Sequence, residues 1–74
     1  MSKNKKINYC DNICVIGLGY VGIPLIKIIS KTLKPKNLIG LDIDLKKIEN
    51  LKKSIDPLTL KKDDLLKNII FTDN

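Results

Sequence analysis

The stretch Ile13-Cys14-Val15-Ile16-Gly17-Leu18-Gly19-Tyr20-Val21-Gly22-Ile23-Pro24-Leu25 decides the fold. Its first part, Asn12 to Ile16, is a short, nearly continuous apolar run that stops at a glycine turn. A run of that length, so bounded, predicts a strand buried on both faces of a parallel sheet. Gly17-Leu18-Gly19 then forms the turn, and a helix is expected from about Tyr20 to Leu33. Val21, Leu25, Ile28, Ile29 and Leu33 recur at helical spacing and form its expected buried stripe, with Lys27, Lys31 and Lys34 on the opposite side. Pro24 falls near the first turn, where a missing N–H costs little, and Pro35 closes the helix.

The three glycines fit a Gly-x-Gly-x-x-Gly pattern, and each has a physical task. Gly17 permits the tight turn out of the strand. Gly19 lets the backbone approach a pyrophosphate where a Cβ would collide. Gly22 lets helix and strand pack closely. The N–H groups of the first turn, around Tyr20 and Val21, lack intrahelical acceptors and sit at the positive end of the helix dipole, which suits a diphosphate.

Downstream, Asn37 to Asp42 reads as a second strand ending in a carboxylate, and Asp42 lies 20 positions beyond Gly22. A carboxylate there accepts hydrogen bonds from the adenosine ribose of a dinucleotide. It also repels a 2′-phosphate. Every basic residue of the chain is Lys, so the Arg that usually accommodates that phosphate is missing. The expected cofactor is therefore NAD. Lys47, five positions on, reads either as a ribose or phosphate contact or as a solvated helix residue. Asp44 reads as the cap of a second helix, from about Leu45 to Ser54, that buries Leu45, Ile48, Leu51 and Ile55.

Asp56-Pro57 breaks that helix. Residues 58–68 are expected to form a loop with a short helix around Asp63 to Lys67, and Ile69 to Thr72 a third strand. The element order is β-α-β-α-(α)-β. It predicts an α/β fold with a parallel sheet and right-handed crossovers, a partial Rossmann fold that stops after its third strand. The sheet edge around Ile69 to Thr72 is expected to invite aggregation. Residues 1–11 are expected to be a disordered Lys-rich tail, and residues 12–74 the amino-terminal half of an NAD-binding Rossmann domain.

The chain has 74 residues, enough for one small domain. Its net charge is +6, from 14 lysines and 8 acidic residues. Lys, Ile and Asn, all with A/T-rich codons, dominate the composition, so the charge reads as codon bias before it reads as a nucleic-acid surface. Base readout favours Arg and stacking needs aromatics, of which there are two Tyr and one Phe. No nucleic-acid partner is expected, and steep salt dependence of binding is what would argue for one. The uncharged run from Ile13 to Ile26 is too short to span a membrane, and its glycines and Pro24 suit neither a spanning helix nor a signal peptide. No membrane partner is expected. Cys10 and Cys14, with no His, cannot complete a four-ligand zinc site, and no metal is expected. If Cys14 lies in a strand, its Cα is about 13 Å from that of Cys10, too far for a disulfide. Two unpaired thiols suit a cytoplasmic location, and Cys14 is expected to be a small buried hydrophobe.

The segment Ile13 to Leu25 resembles the opening of the UDP-glucose/GDP-mannose dehydrogenase family, the nucleotide-sugar 6-dehydrogenases. The Tyr-Val-Gly-hydrophobic-Pro-Leu continuation separates that family from most dinucleotide binders. Ile39-Gly40-Leu41-Asp42-Ile43-Asp44 resembles its second strand, which leads into a Lys-rich helix. Ser54-Ile55-Asp56 through Asp63-Asp64-Leu65-Leu66 to Phe71-Thr72 is similar to the branch that oxidises UDP-N-acetylhexosamines. The resemblance covers about residues 12–73. It implies two-step, NAD-dependent oxidation of a sugar C6 alcohol to a carboxylate for surface polysaccharide synthesis, in an enzyme that dimerises in full-length form. It places Gly17, Gly19, Tyr20, Val21, Gly22, Asp42 and Lys47 at NAD-contact positions. The family's catalytic Cys lies in a Gly-rich Cys-Phe-Pro-Lys-Asp segment that this chain lacks, so neither Cys10 nor Cys14 inherits that role and no catalytic residue carries over. The resemblance implies an amino-terminal fragment, inactive alone; the alternative is a stand-alone NAD-binding or regulatory module without catalysis. Many members have a Gly near Ser54, and its absence leaves the turn there open.

Overall fold

The computed structural model describes residues 12–74. The expected tail, residues 1–11, and Cys10 with it, lies outside the described residues. Strand β1 (Asn12–Ile16) leads through the Gly turn to helix α1 (Gly22–Thr32), strand β2 (Asn37–Leu41) and helix α2 (Leu45–Lys52). Two short strands follow, β3 (Ile55–Asp56) and β4 (Lys61–Lys62). A 3₁₀ turn at Asp64–Leu66 then leads to β5 (Ile70–Thr72).

The main sheet is parallel, in the order β1-β2-β5. Val15 pairs with Gly40 in one register and Gly40 with Phe71 in the other. This is the expected α/β, partial Rossmann-like arrangement. Strands β1 and β5 are both edges, so the unpaired edge expected at Ile69 to Thr72 has a counterpart at β1.

Side chains alternate across a strand. Val15, Leu38 and Phe71 therefore point to one face, where they pack with Ile23 and Ile26 of α1 and Ile48 and Leu51 of α2. Leu18, Ile23 and Ile26 are completely buried. Burying a side chain of that size stabilises by roughly 2 kcal/mol. The opposite face carries Cys14, Ile16 and Ile70, all exposed. Burial on both faces, and a buried Cys14, were expected; the structure corrects both. Both helices pack on the same side of the sheet, so residues of odd and even number along β1 part company.

The buried stripe of α1 also differs from the expectation. Val21, Leu25, Ile28 and Leu33 are exposed, Ile29 is half-buried, and Ile23 and Ile26 make the core contacts. The reason is Gly22. A Cβ on it would lie 1.8 Å from the Gly17 carbonyl oxygen and 2.9 Å from the Gly17 carbonyl carbon. The helix is rotated so that this line of contact faces the strand. Apolar residues occupy most of its circumference, so spacing alone did not select the face. Lys27 is likewise not on a wet face. It pairs with Asp56 and, at 2.7 Å, with Asp63, and tethers the middle of α1 to the segment after α2.

That segment is more ordered than a loop. Strand β3 pairs antiparallel with β4, Ile55 opposite Lys62 and Asp56 opposite Lys61. Helix α2 is shorter than expected, because Ser54 (φ +63°) turns the chain into β3; Leu45, at its first position, is exposed where burial was expected. Ser54 thus adopts the left-handed conformation that a glycine takes most readily. Its N–H donates to Leu51 O at 2.9 Å, and its carbonyl accepts from Asp63 N at 2.8 Å. No helix among the described residues is long and apolar enough to cross a membrane.

Candidate functional site

The carboxyl ends of β1 and β2 bring the Gly turn and Asp42 together. Gly17 has φ +88°, a conformation that side-chain-bearing residues rarely adopt. Its N–H donates to Leu41 O at 2.8 Å, which extends the sheet ladder by one bond. Asp42 N donates to Thr72 O at 3.2 Å, so β2 keeps its pairing with β5 for one residue beyond the strand. The next N–H of the turn, Leu18, donates to Asp42 Oδ2 at 2.8 Å. The Asp42 side chain thereby adds a second link between the turn and the end of β2.

Three donors converge on this carboxylate. Asp44 N donates to Oδ1 at 2.9 Å, and Lys47 Nζ reaches Oδ2 at 3.3 Å beside the Leu18 bond. The Asp44 N–H, then the Leu18 N–H, then Lys47 hold the Asp42 carboxyl below its ordinary range against the opposing effect of burial. It is ionised at neutral pH and accepts hydrogen bonds only.

The N-terminus of α1 opens on the same side. Val21 occupies its cap position without a side-chain cap bond, and the first turn holds no acidic residue. Ile23 N donates to Gly19 O at 3.1 Å, but the N–H groups of Gly19, Tyr20 and Val21 have no backbone or side-chain acceptor among the described residues. Tyr20 and Val21 are 87% and 79% exposed. A Cβ on Gly19 would meet nothing within 4 Å, and its φ is not in the left-handed region. Nothing among the described residues requires glycine there. The space in front of Gly19 is open to a ligand, and the donors beside it suit an anion.

Beside Asp42 lies a shallow cavity of about 220 Å³ lined by Ile16, Gly17, Leu41, Asp42 and Ile43. Ile43 is 90% exposed. The sequence reading did not single out Ile16, Leu41 or Ile43. The signal was present in the alternation of β1 and β2, which puts Ile16 and Leu41 on the face away from the helices. The other expected site residues fall together: Gly17, Gly19, Tyr20, Val21 and Gly22 form one turn, and Asp42 and Lys47 face it. Asp44 is a cap, accepting from Lys46 N at 3.1 Å and Lys47 N at 3.2 Å.

A glycine turn, an open helix N-terminus and a strand-end carboxylate define a dinucleotide-binding domain of Rossmann type. The model of the UDP-glucose/GDP-mannose dehydrogenase family, NAD binding domain, matches residues 11–73, and the chain belongs to that family. Its cofactor is NAD, and the family is one of NAD-dependent dehydrogenases. No curated protein matched the chain, and no solved structure did.

Proposed function

We propose that this chain supplies the NAD-binding unit of a nucleotide-sugar 6-dehydrogenase that oxidises the C6 alcohol of a UDP-sugar in the cytoplasm. The observation that carries the reading is the pairing of an uncapped α1 N-terminus with an ionised Asp42 across the Gly17–Gly19 turn. Free N–H donors suit the diphosphate, and a carboxylate that only accepts suits the ribose hydroxyls. Gly17 holds the turn, Gly19 leaves room for the diphosphate, and Tyr20 and Val21 present their N–H groups to it. Gly22 seats the helix against the strand. Lys47 lies where it meets the ribose once Asp42 has engaged it. The apolar hollow of Ile16, Leu41 and Ile43 suits the adenine ring, which buries flat apolar area beside its ribose.

When bound, NAD accepts hydride from the alcohol carbon. The residues of this chain bind and orient its adenosine half. The substrate proposed is a UDP-N-acetylhexosamine, on the likeness of Ser54 through Thr72 to that branch, and the product class is a surface polysaccharide precursor. Isothermal titration of the chain with NAD and NADP tests the cofactor part. NAD should bind the more tightly, and Asp42→Ala should weaken NAD while narrowing the gap to NADP. Equal affinities for the two nucleotides in both proteins would remove Asp42 from the site.

A further inference from the structure

The Asp42 carboxylate does more than wait for a ribose. Leu18 is completely buried, and its N–H has a side-chain acceptor 24 residues away in sequence, at 2.8 Å. Among the described residues one backbone bond, Gly17 N to Leu41 O, precedes it in joining the turn to β2. The next donors along the turn, on Gly19, Tyr20 and Val21, are the ones left open. Of the three partners of Asp42, Lys47 is the longest at 3.3 Å and sits on a flexible stem, so a ribose hydroxyl can displace it. The Leu18 and Asp44 bonds, at 2.8 and 2.9 Å, are to fixed backbone.

Resting on the dinucleotide reading above, we infer that Asp42 is a positioning residue for the phosphate-binding turn: by accepting from Leu18 N–H it holds the turn's open donors in place, so ribose recognition and diphosphate recognition are coupled through one side chain. The sign of the effect separates this from simple electrostatics. Removing a negative charge beside a diphosphate should strengthen its binding. Loss of the Leu18 tether should weaken it.

The test uses the full chain, Asp42→Ala and Asp42→Asn, with ADP and 2′,3′-dideoxy-ADP as probes. Dideoxy-ADP has no ribose hydroxyls for Asp42 to hold. The asparagine keeps an oxygen that accepts from Leu18 N–H and loses the charge, as the alanine does. Asp42→Ala should bind dideoxy-ADP about tenfold more weakly than wild type, and Asp42→Asn within about twofold of it. An alanine variant that binds dideoxy-ADP as tightly as wild type, or more tightly, overturns the inference.

Amide exchange supplies a readout that needs no nucleotide. The Leu18 N–H should exchange about tenfold faster in Asp42→Ala and at the wild-type rate in Asp42→Asn; an unchanged rate in the alanine variant overturns the tether. In wild type, which needs no variant to fold, the Leu18 amide proton resonance should follow the protonation of Asp42. Asp44 and Lys47 are the other ionisable groups beside it. A Leu18 amide that does not follow Asp42 contradicts the proposal. If wild type binds neither ADP nor dideoxy-ADP, the nucleotide reading fails, and the exchange data still decide whether the tether exists.

Discussion

The two helices of this small domain begin in opposite ways. Helix α2 is closed at its N-terminus: Asp44 accepts from Lys46 N and Lys47 N, in the extended conformation that a capping residue adopts. Helix α1 is open: its cap position is Val21, in helical conformation, with no side-chain bond and no acid in the first turn. An uncapped helix forgoes about 1 kcal/mol of stability. Helix α1 is secured elsewhere, at Gly22 against the Gly17 carbonyl and at Lys27 against Asp56 and Asp63. The start of α1 can stay open to an external anion because other contacts hold the helix in place.

The contact at Gly22 is the hardest to replace. Gly22→Ala would put a Cβ 1.8 Å from a backbone oxygen, and neither partner is a flexible side chain. The expected loss is about 3 kcal/mol or more by chemical denaturation. A variant as stable as wild type would show that α1 does not depend on that approach.

Next comes the tether. The Asp56 side chain is 3% exposed and that of Lys27 20%. Lys27→Met leaves Asp56 buried without its counter-ion and should cost about 3 kcal/mol. Burial alone would lower the Lys27 ammonium, but its hydrogen bonds to Asp56 and Asp63 outweigh this and hold it above its ordinary value. A double variant, Lys27→Met with Asp56→Leu, should recover most of the loss, because the deeply buried carboxylate is gone and Asp63, 27% exposed, keeps water and the Leu65 N–H.

Capping predicts a smaller effect, on stability alone. Asp44→Ala should cost about 1 kcal/mol and leave nucleotide affinity unchanged. Loss of NAD binding in that variant would place Asp44 in the site and erase the contrast between the two helix starts.

The pH dependence is the mildest sign. The folded Asp42 carboxyl lies below its ordinary value, held there first by the Asp44 N–H and then by that of Leu18. A depressed carboxyl contributes stability that is present above its unfolded pKa, about 3.9, and is lost as pH falls through the folded value. Asp63, lowered first by Lys27 and then by the Leu65 N–H, acts in the same direction. Stability should therefore fall as pH drops below about 4, and less steeply in Asp42→Asn. Identical acid limbs for the two proteins would dissociate Asp42 from the turn.

Much of this was legible in the sequence, and the residues show why the rest was not. Gly17, Gly19 and Gly22 are spaced by backbone geometry, and Asp42 by the length of one β-α-β unit, so the turn and the strand-end acid could be read directly. The face of α1 could not, because a tertiary contact at Gly22 sets its rotation and Val21, Leu25 and Ile28 offer a rival apolar stripe. The β3–β4 hairpin carried no strand signal. Its strands are two residues each, its buried side chain is the carboxylate of Asp56, and its turns place Ser54 and Leu60 at positive φ where no glycine marks them. Cys14 was misjudged because burial on both faces was assumed for a strand that is covered on one.

Gly19 offers the most direct test, because none of the described residues fills the space its missing Cβ leaves. Wild type and Gly19→Val should be compared by denaturation and by calorimetric titration with NAD. Stability should change by no more than about 1 kcal/mol while NAD binding is lost. A Gly19→Val variant that binds NAD as wild type does would contradict the claim that the open start of α1 is where the dinucleotide sits.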